Sequence, residues 1–403
     1  MVYDNQQSLV RLRWRWLIVA TIYAVGLLLG YGFLLQQWQS GREEQWLMVA
    51  AAMMIIQMGI LWWALHYNHR PAEAVLVPFL GYGNGMTLAR GLCTMLLAGF
   101  LFAPRPTDGL AWIPAILYTV ERLIDYFDGY VARITGQETK LGAILDMEFD
   151  GLGFLIAIIL CIQYGQLSAW YLVLGLARQL FVAGMWLRQR WHMPVYALPP
   201  SDNGRLIAGF QTSFVSVVLW PVLSPQITLL ASYLFAIPLI FSFGRDWLVV
   251  SGVLDADSSA YQKGRAAIKH LVEDWLPTGA RSLGALLALQ ILWREAFAFP
   301  VWTAYLLGEG SYVLAAMIEA LAVLWLLATL LLITGVLGRV GALILFSLAC
   351  LDILATGLRW SDNGLLFVCL IIVIHWGSGR LALWKPEEPL LRMKLGAQQR
   401  GPR

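Results

Sequence analysis

Charge is scarce in this sequence. Asp, Glu, Lys and Arg make up 13% of its 403 residues, where a soluble chain carries roughly 25%. Too few ionisable side chains are available to cover a protein of this length in water. The net charge of +3 gives no electrostatic footprint for nucleic acid. Cysteine is scarcer still. The four, Cys93, Cys161, Cys350 and Cys369, each sit in an apolar run without metal-ligand spacing. That excludes a disulfide framework and leaves them as small buried hydrophobes. The histidines, at 66, 69, 192, 270 and 375, are scattered and read as structural. No low-complexity stretch, c-type haem motif or dinucleotide glycine motif occurs.

Long apolar runs are abundant. Leu17–Leu35, Leu47–Leu65 and Val313–Ile333 each reach the ~20 residues that a spanning helix needs. The chain therefore reads as an all-α, polytopic membrane protein. About twelve transmembrane helices are expected, at 15–37, 46–66, 86–103, 111–133, 141–162, 168–187, 206–223, 226–243, 280–299, 311–333, 340–356 and 364–376. The first follows Arg11, Arg13 and Arg15. It is longer than a signal-peptide core and has no clear small-residue cleavage site, so it reads as a retained span. A polar interval, 246–278, separates an eight-span block from a four-span block and is expected to be a cytoplasmic linker.

Basic residues orient the spans. The three N-terminal arginines place that end in the cytoplasm. Counting forward, the expected cytoplasmic loops hold Arg70, Lys140, Arg188, Arg190, Arg205 and Arg339, and the tail at 386–403 is basic. The opposite loops hold only Arg42, Arg105 and Arg359. The expected location is a bacterial inner membrane. Tryptophans near span ends, among them Trp14, Trp62, Trp63, Trp186 and Trp191, fit an interfacial belt.

The chemistry lies between two spans. Asp125 and Asp128 are three residues apart and share a helix face, as do Asp146 and Asp150 at a spacing of four. With the turn centred near Gln137, antiparallel helices bring all four to similar depth, on the order of 13–20 Å below the turn. Carboxylates inside a membrane are costly and usually functional. Oxygen-only ligands suit Mg2+ or Mn2+, and paired ions held this way serve phosphoryl chemistry. The alternatives are a buried polar network or an ion pathway.

The run Asp125-x2-Asp128-Gly129-x2-Ala132-Arg133-x8-Gly142-x3-Asp146-x3-Asp150 resembles the signature of the CDP-alcohol phosphatidyltransferases. Asn84, Thr87 and Arg90 match that family's Asn-x2-Thr/Ser-x2-Arg segment, and Gly204, Arg205 and Gln211 a more variable one. The likeness covers 75–245, the family's six-helix core, preceded at 1–70 by two additional helices. It implies metal-dependent transfer of a phosphatidyl group from a CDP-linked lipid, such as CDP-diacylglycerol, to an alcohol, with release of CMP. Asp125, Asp128, Asp146 and Asp150 would hold the metals, two in number by family likeness, and Asp150 would also act as general base. Asn84, Thr87, Gly129, Ala132, Arg133 and Gly142 would line the CDP site. Arg90, Arg178, Arg188 and Arg205 would bind the acceptor or lipid, with membrane-border anchoring the plainer reading of Arg178 and Arg188. Glu148, between Asp146 and Asp150, should point away from the metals. The acceptor, homodimerisation and the use of the N-terminal helices stay open.

The last four spans resemble the DoxX-like four-helix membrane family over 279–385. The resemblance rests on Glu319, the Gly335…Gly338-Arg339 turn and the His375-Trp-Gly-Ser-Gly-Arg380 ending. Glu319 and Asp352 are intramembrane acids, either site residues or helix-to-helix contacts. A transporter, or an interaction or redox-associated protein dominated by this block, is the rival function.

Overall fold

The computed structural model describes residues 2–38, 41–71, 73, 75–198, 202–255, 258–296 and 312–387. Helices account for most of it, and the described residues contain no strand beyond the single His69–Leu76 bridge. In chain order the α-helices are α1 (Val2–Gln37), α2 (Glu43–Ala64), α3 (Gly81–Ala98), α4 (Ile113–Ile134), α5 (Lys140–Gln163), α6 (Leu172–Gly175), α7 (Ala177–Arg190), α8 (Asp202–Leu219), α9 (Pro225–Val250), α10 (Ser259–Lys269), α11 (Leu276–Ala296), α12 (Tyr312–Thr334), α13 (Gly338–Thr356) and α14 (Leu365–Trp376).

Each expected span overlaps a helix among the described residues. Among the described residues, four helices are long and apolar enough to cross a membrane by length and composition: α1, α2, α9 and α13. Composition explains much of the difference from twelve. α4 and α5 carry the carboxylates of interest, α8 and α12 offer shorter apolar stretches, and α6 and α7 are interrupted at Leu176. The outer face of α1 is apolar and open, with Leu17, Ile18, Ile22, Leu28 and Leu29 exposed. A face of that kind is at home against lipid, not water. Trp62, Trp63, Trp186 and Trp191 are exposed near helix ends, and Trp14 is exposed about three turns into α1.

The polar interval is helical for most of its length. α9 continues to Val250, beyond its apolar stretch, and α10 starts where Ser258 caps Tyr261 N at 3.2 Å. A π-helix, His270–Trp275, then leads into α11.

The chain divides into two compact units. The first holds Met1–Leu176 and Thr212–Val222, and the second Ala177–Gln211 and Leu223–Arg403. In the first, α3 is the central helix. It packs on α4 and on α5 far more extensively than those two pack on each other. The N-terminal pair is built into this unit. Tyr23 Oη donates to Leu88 O at 2.6 Å, joining α1 to α3. Trp46 of α2 is buried over Gly30 and Gly99, where a Cβ would strike its indole.

In the second unit, α11, α12, α13 and α14 form a four-helix block. Asp352 is fully buried there and accepts from Asn363 Nδ2 at 2.9 Å, while Glu319 is exposed. His375 is buried with Nδ1 against Ile371 O at 2.9 Å, in keeping with a structural role.

Candidate active site

α4 and α5 are joined by the five residues 135–139. Thr139 ends the turn: its Oγ1 accepts from Gly142 N at 3.1 Å and from Asn84 Nδ2 at 3.2 Å. Gln137 Oε1 accepts from Tyr82 N at 3.0 Å, pinning the same turn to the start of α3. The turn is therefore fixed by hydrogen bonds to α3.

Carboxylate oxygens of Asp125, Asp128 and Asp146 all lie within 4.8 Å of one another. Thr87 Oγ1 donates to Asp128 Oδ2 at 3.1 Å. Asp128 is nearly closed off, whereas the side chains of Asp146 and Asp150 are 49% and 40% exposed. The site thus opens on its α5 side.

Arg90, from α3, sits in the middle with a fully buried side chain. Its Nη2 donates to Asp146 Oδ1 and its Nη1 to Asp150 Oδ1, both at 2.9 Å. Nη1 also pairs with Asp125 and lies 3.9 Å from Asp128. Arg90, expected to bind the acceptor or lipid, is here an internal cation between the two carboxylate pairs.

Two further charged residues belong here that the sequence reading passed over. Arg122 Nη2 donates to Glu121 Oε1 at 2.7 Å and to Asp150 Oδ1 at 3.0 Å. Its Nη1 lies 3.4 Å from Asp125 Oδ2. Glu121 is fully buried, and it packs where Gly153 has no side chain, since a Cβ there would strike Oε1. Both arginine contacts to Asp150 fall on Oδ1, and Oδ2 takes neither. The signal was available: Arg122 is an intramembrane cation one helical turn before Asp125.

With all groups ionised, five carboxylates face two guanidiniums, leaving three negative charges in a partly buried cluster. Such an excess calls for added cations. The donor set is all oxygen, which suits a hard divalent ion, so the residues fit a metal site.

Residues 81–243 match the model of the CDP-alcohol phosphatidyltransferase family. This part of the chain is similar to that family. Among its relatives is the CDP-diacylglycerol--glycerol-3-phosphate 3-phosphatidyltransferase of Cereibacter sphaeroides, 35% identical over 89 residues, which are 21% of this chain and 39% of the relative. The putative cardiolipin synthases of Mycobacterium tuberculosis and Mycobacterium bovis are 29% identical over 146 residues, 35% of this chain and 69% of theirs. No solved structure matches.

Within the matched segment, Asn84 and Gly142 touch so closely that a Cβ on Gly142 would strike Asn84 Oδ1. Gly129, Ala132 and Arg133 lie on α4 and Arg205 on α8, but their side chains are outside the described residues. In the second unit, Arg178 is exposed. Arg188 donates to Pro194 O and Ser251 O, both at 3.1 Å, and so ties the end of α7 to the end of α9. Glu148 is exposed, as its spacing predicts.

Proposed function

We propose that the chain is a membrane phosphatidyltransferase, with its site at Asp125, Asp128, Asp146 and Asp150. The donor is a CDP-linked lipid, such as CDP-diacylglycerol, and the acceptor a small alcohol. The observation that carries this reading is the convergence of Asp125, Asp128 and Asp146 within 4.8 Å at the positions the family motif specifies.

Asp125, Asp128 and Asp146 would hold the divalent ions, with Asp150 at the edge of the set. The chemistry that Mg2+ or Mn2+ supplies when bound is neutralisation of the diphosphate and stabilisation of the attacking and leaving oxygens. Arg90 and Arg122 hold Asp150 by one oxygen. Its second oxygen accepts the proton of the acceptor hydroxyl as that oxygen attacks the β-phosphorus. The new phosphorus–oxygen bond forms as the bond to the CMP oxygen breaks, and CMP carries away the leaving electron pair. Asn84, Thr87, Gly129, Ala132, Arg133 and Gly142 form the nucleotide side. The open α5 face admits the acceptor. The basic-residue bias supports a site that opens to the cytoplasm at a bacterial inner membrane.

The test is CMP release by purified protein in nanodiscs, given CDP-diacylglycerol, Mg2+ or Mn2+, and glycerol 3-phosphate, serine or inositol phosphate in turn. One acceptor should yield CMP and a new lipid in equal amounts, with both lost on chelation. Silence with every acceptor would sink the proposal.

A further inference from the structure

Arg281 is a buried cation that the proposed reaction does not use. It lies on α11 in the second unit and is 3% exposed. Nη2 donates to Leu381 O at 2.8 Å, while Nε and Nη1 have no hydrogen-bond partner. Among the described residues no carboxylate lies within ion-pair distance of it. Nη1 lies against Gly335, where any Cβ would collide with it. Burying a guanidinium with two of its nitrogens unpaired is costly unless an anion joins it.

What covers Arg281 says which anion. The segment bearing Leu381 runs over it and exposes large apolar groups: Leu381 is 63%, Leu383 77% and Trp384 59% exposed. These are not loose ends. Arg380 N donates to Thr278 Oγ1 at 2.9 Å, Leu383 N to Thr334 O at 3.1 Å, and Leu337 N to Trp384 O at 3.0 Å. Two more cations flank the segment. The Arg380 guanidinium lies 5.9 Å from the ring centre of Trp275, and Lys385 Nζ donates to Gly379 O at 3.0 Å. A fixed apolar strip with an exposed tryptophan and adjacent cations is the pattern of a membrane interface. A planar guanidinium beneath it matches a phosphate in two-point contact.

We propose that this end of the C-terminal four-helix block binds the phosphate of an anionic membrane phospholipid, with Arg281 as its main contact and Leu383 and Trp384 against the acyl region. The site is separate from the aspartate cluster and stands whether or not the chain catalyses phosphatidyl transfer.

The full-length protein in neutral detergent is titrated with phosphatidylglycerol, phosphatidylcholine or inorganic phosphate while thermal stability is followed. Phosphatidylglycerol should raise the melting temperature and the other two should not. Arg281→Met should be at least as stable as wild type without lipid, because it removes an unpaired buried charge. Its apparent affinity for phosphatidylglycerol should be roughly tenfold weaker, from loss of charged hydrogen bonds. Arg281→Lys should recover part of it. Native mass spectrometry of the wild type, which does not depend on any variant folding, should retain phosphatidylglycerol over phosphatidylcholine. An unchanged phosphatidylglycerol response in Arg281→Met overturns the proposal. So does an equal response to phosphatidylcholine, or to inorganic phosphate alone.

Discussion

At Asp150 two arginines meet on one oxygen, and the consequences of that arrangement begin with its neighbours. Glu121 is fully buried beside Arg122. Removing one charge of such a pair leaves the other uncompensated, which costs about 3–5 kcal/mol, whereas replacing both with apolar groups is often close to neutral. Glu121→Leu should therefore lower stability in denaturant or thermal unfolding much more than Glu121→Leu combined with Arg122→Leu. If the single and double variants unfold alike, the pair is not coupled. Thr87 offers a second residue-scale test. Its hydroxyl supports Asp128, and loss of such a supporting bond typically weakens metal affinity by about 10–100-fold. Thr87→Val should show that loss in a Mn2+ titration. Unchanged Mn2+ binding would return Thr87 to the nucleotide side alone.

The four aspartates were legible because their spacing declares a helix face, and a helix face is a local property. Arg90 was legible as a motif member but not in its place. Spacing within α4 and α5 says nothing of a third helix coming between them. Both α4 and α5 accordingly pack on α3. Glu121 and Arg122 went unread because adjacent opposite charges point to different sides of an ideal helix, and only the fold brings Arg122 back to Asp150.

At the scale of elements, close packing of α3 against α5 depends on small residues. Gly91 lies 2.5 Å, as a virtual Cβ, from both Phe149 and Tyr23 Oη, so α1, α3 and α5 meet there. Gly142 does the same beside Asn84. Gly142→Ala should force Asn84 away from Thr139. We expect a cost of about 1–3 kcal/mol, the usual range for overpacking. Tyr23→Phe removes the Leu88 hydrogen bond and should cost about 1 kcal/mol. Both are read by thermal unfolding in detergent. A Tyr23→Phe protein of wild-type stability would mean that α1 leans on α3 without supporting it. The helical course of 246–278 was not legible because hydropathy marks apolar helices, and α10 is polar. Its signal was the Ser258 cap.

At the scale of the molecule, the account joins a family-matched segment, 81–243, to two N-terminal helices that brace its central helix and to a C-terminal block with a buried charge of its own. The membrane character was legible from composition, since too few charges exist to clothe the chain. The number of spans was less so. The same carboxylates that identify α4 and α5 as functional make them poor spans by composition.

The central claim, phosphatidyl transfer at the aspartate cluster with Asp150 as base, is tested most directly by single-turnover CMP release from CDP-diacylglycerol at saturating Mn2+. Wild type and Asp150→Asn are compared with the acceptor that the panel identifies. Asp150→Asn should form CMP about 10²–10⁴-fold more slowly, the usual contribution of a positioned base, while still binding Mn2+ through Asp125, Asp128 and Asp146. CMP formation at the wild-type rate in Asp150→Asn would contradict the account.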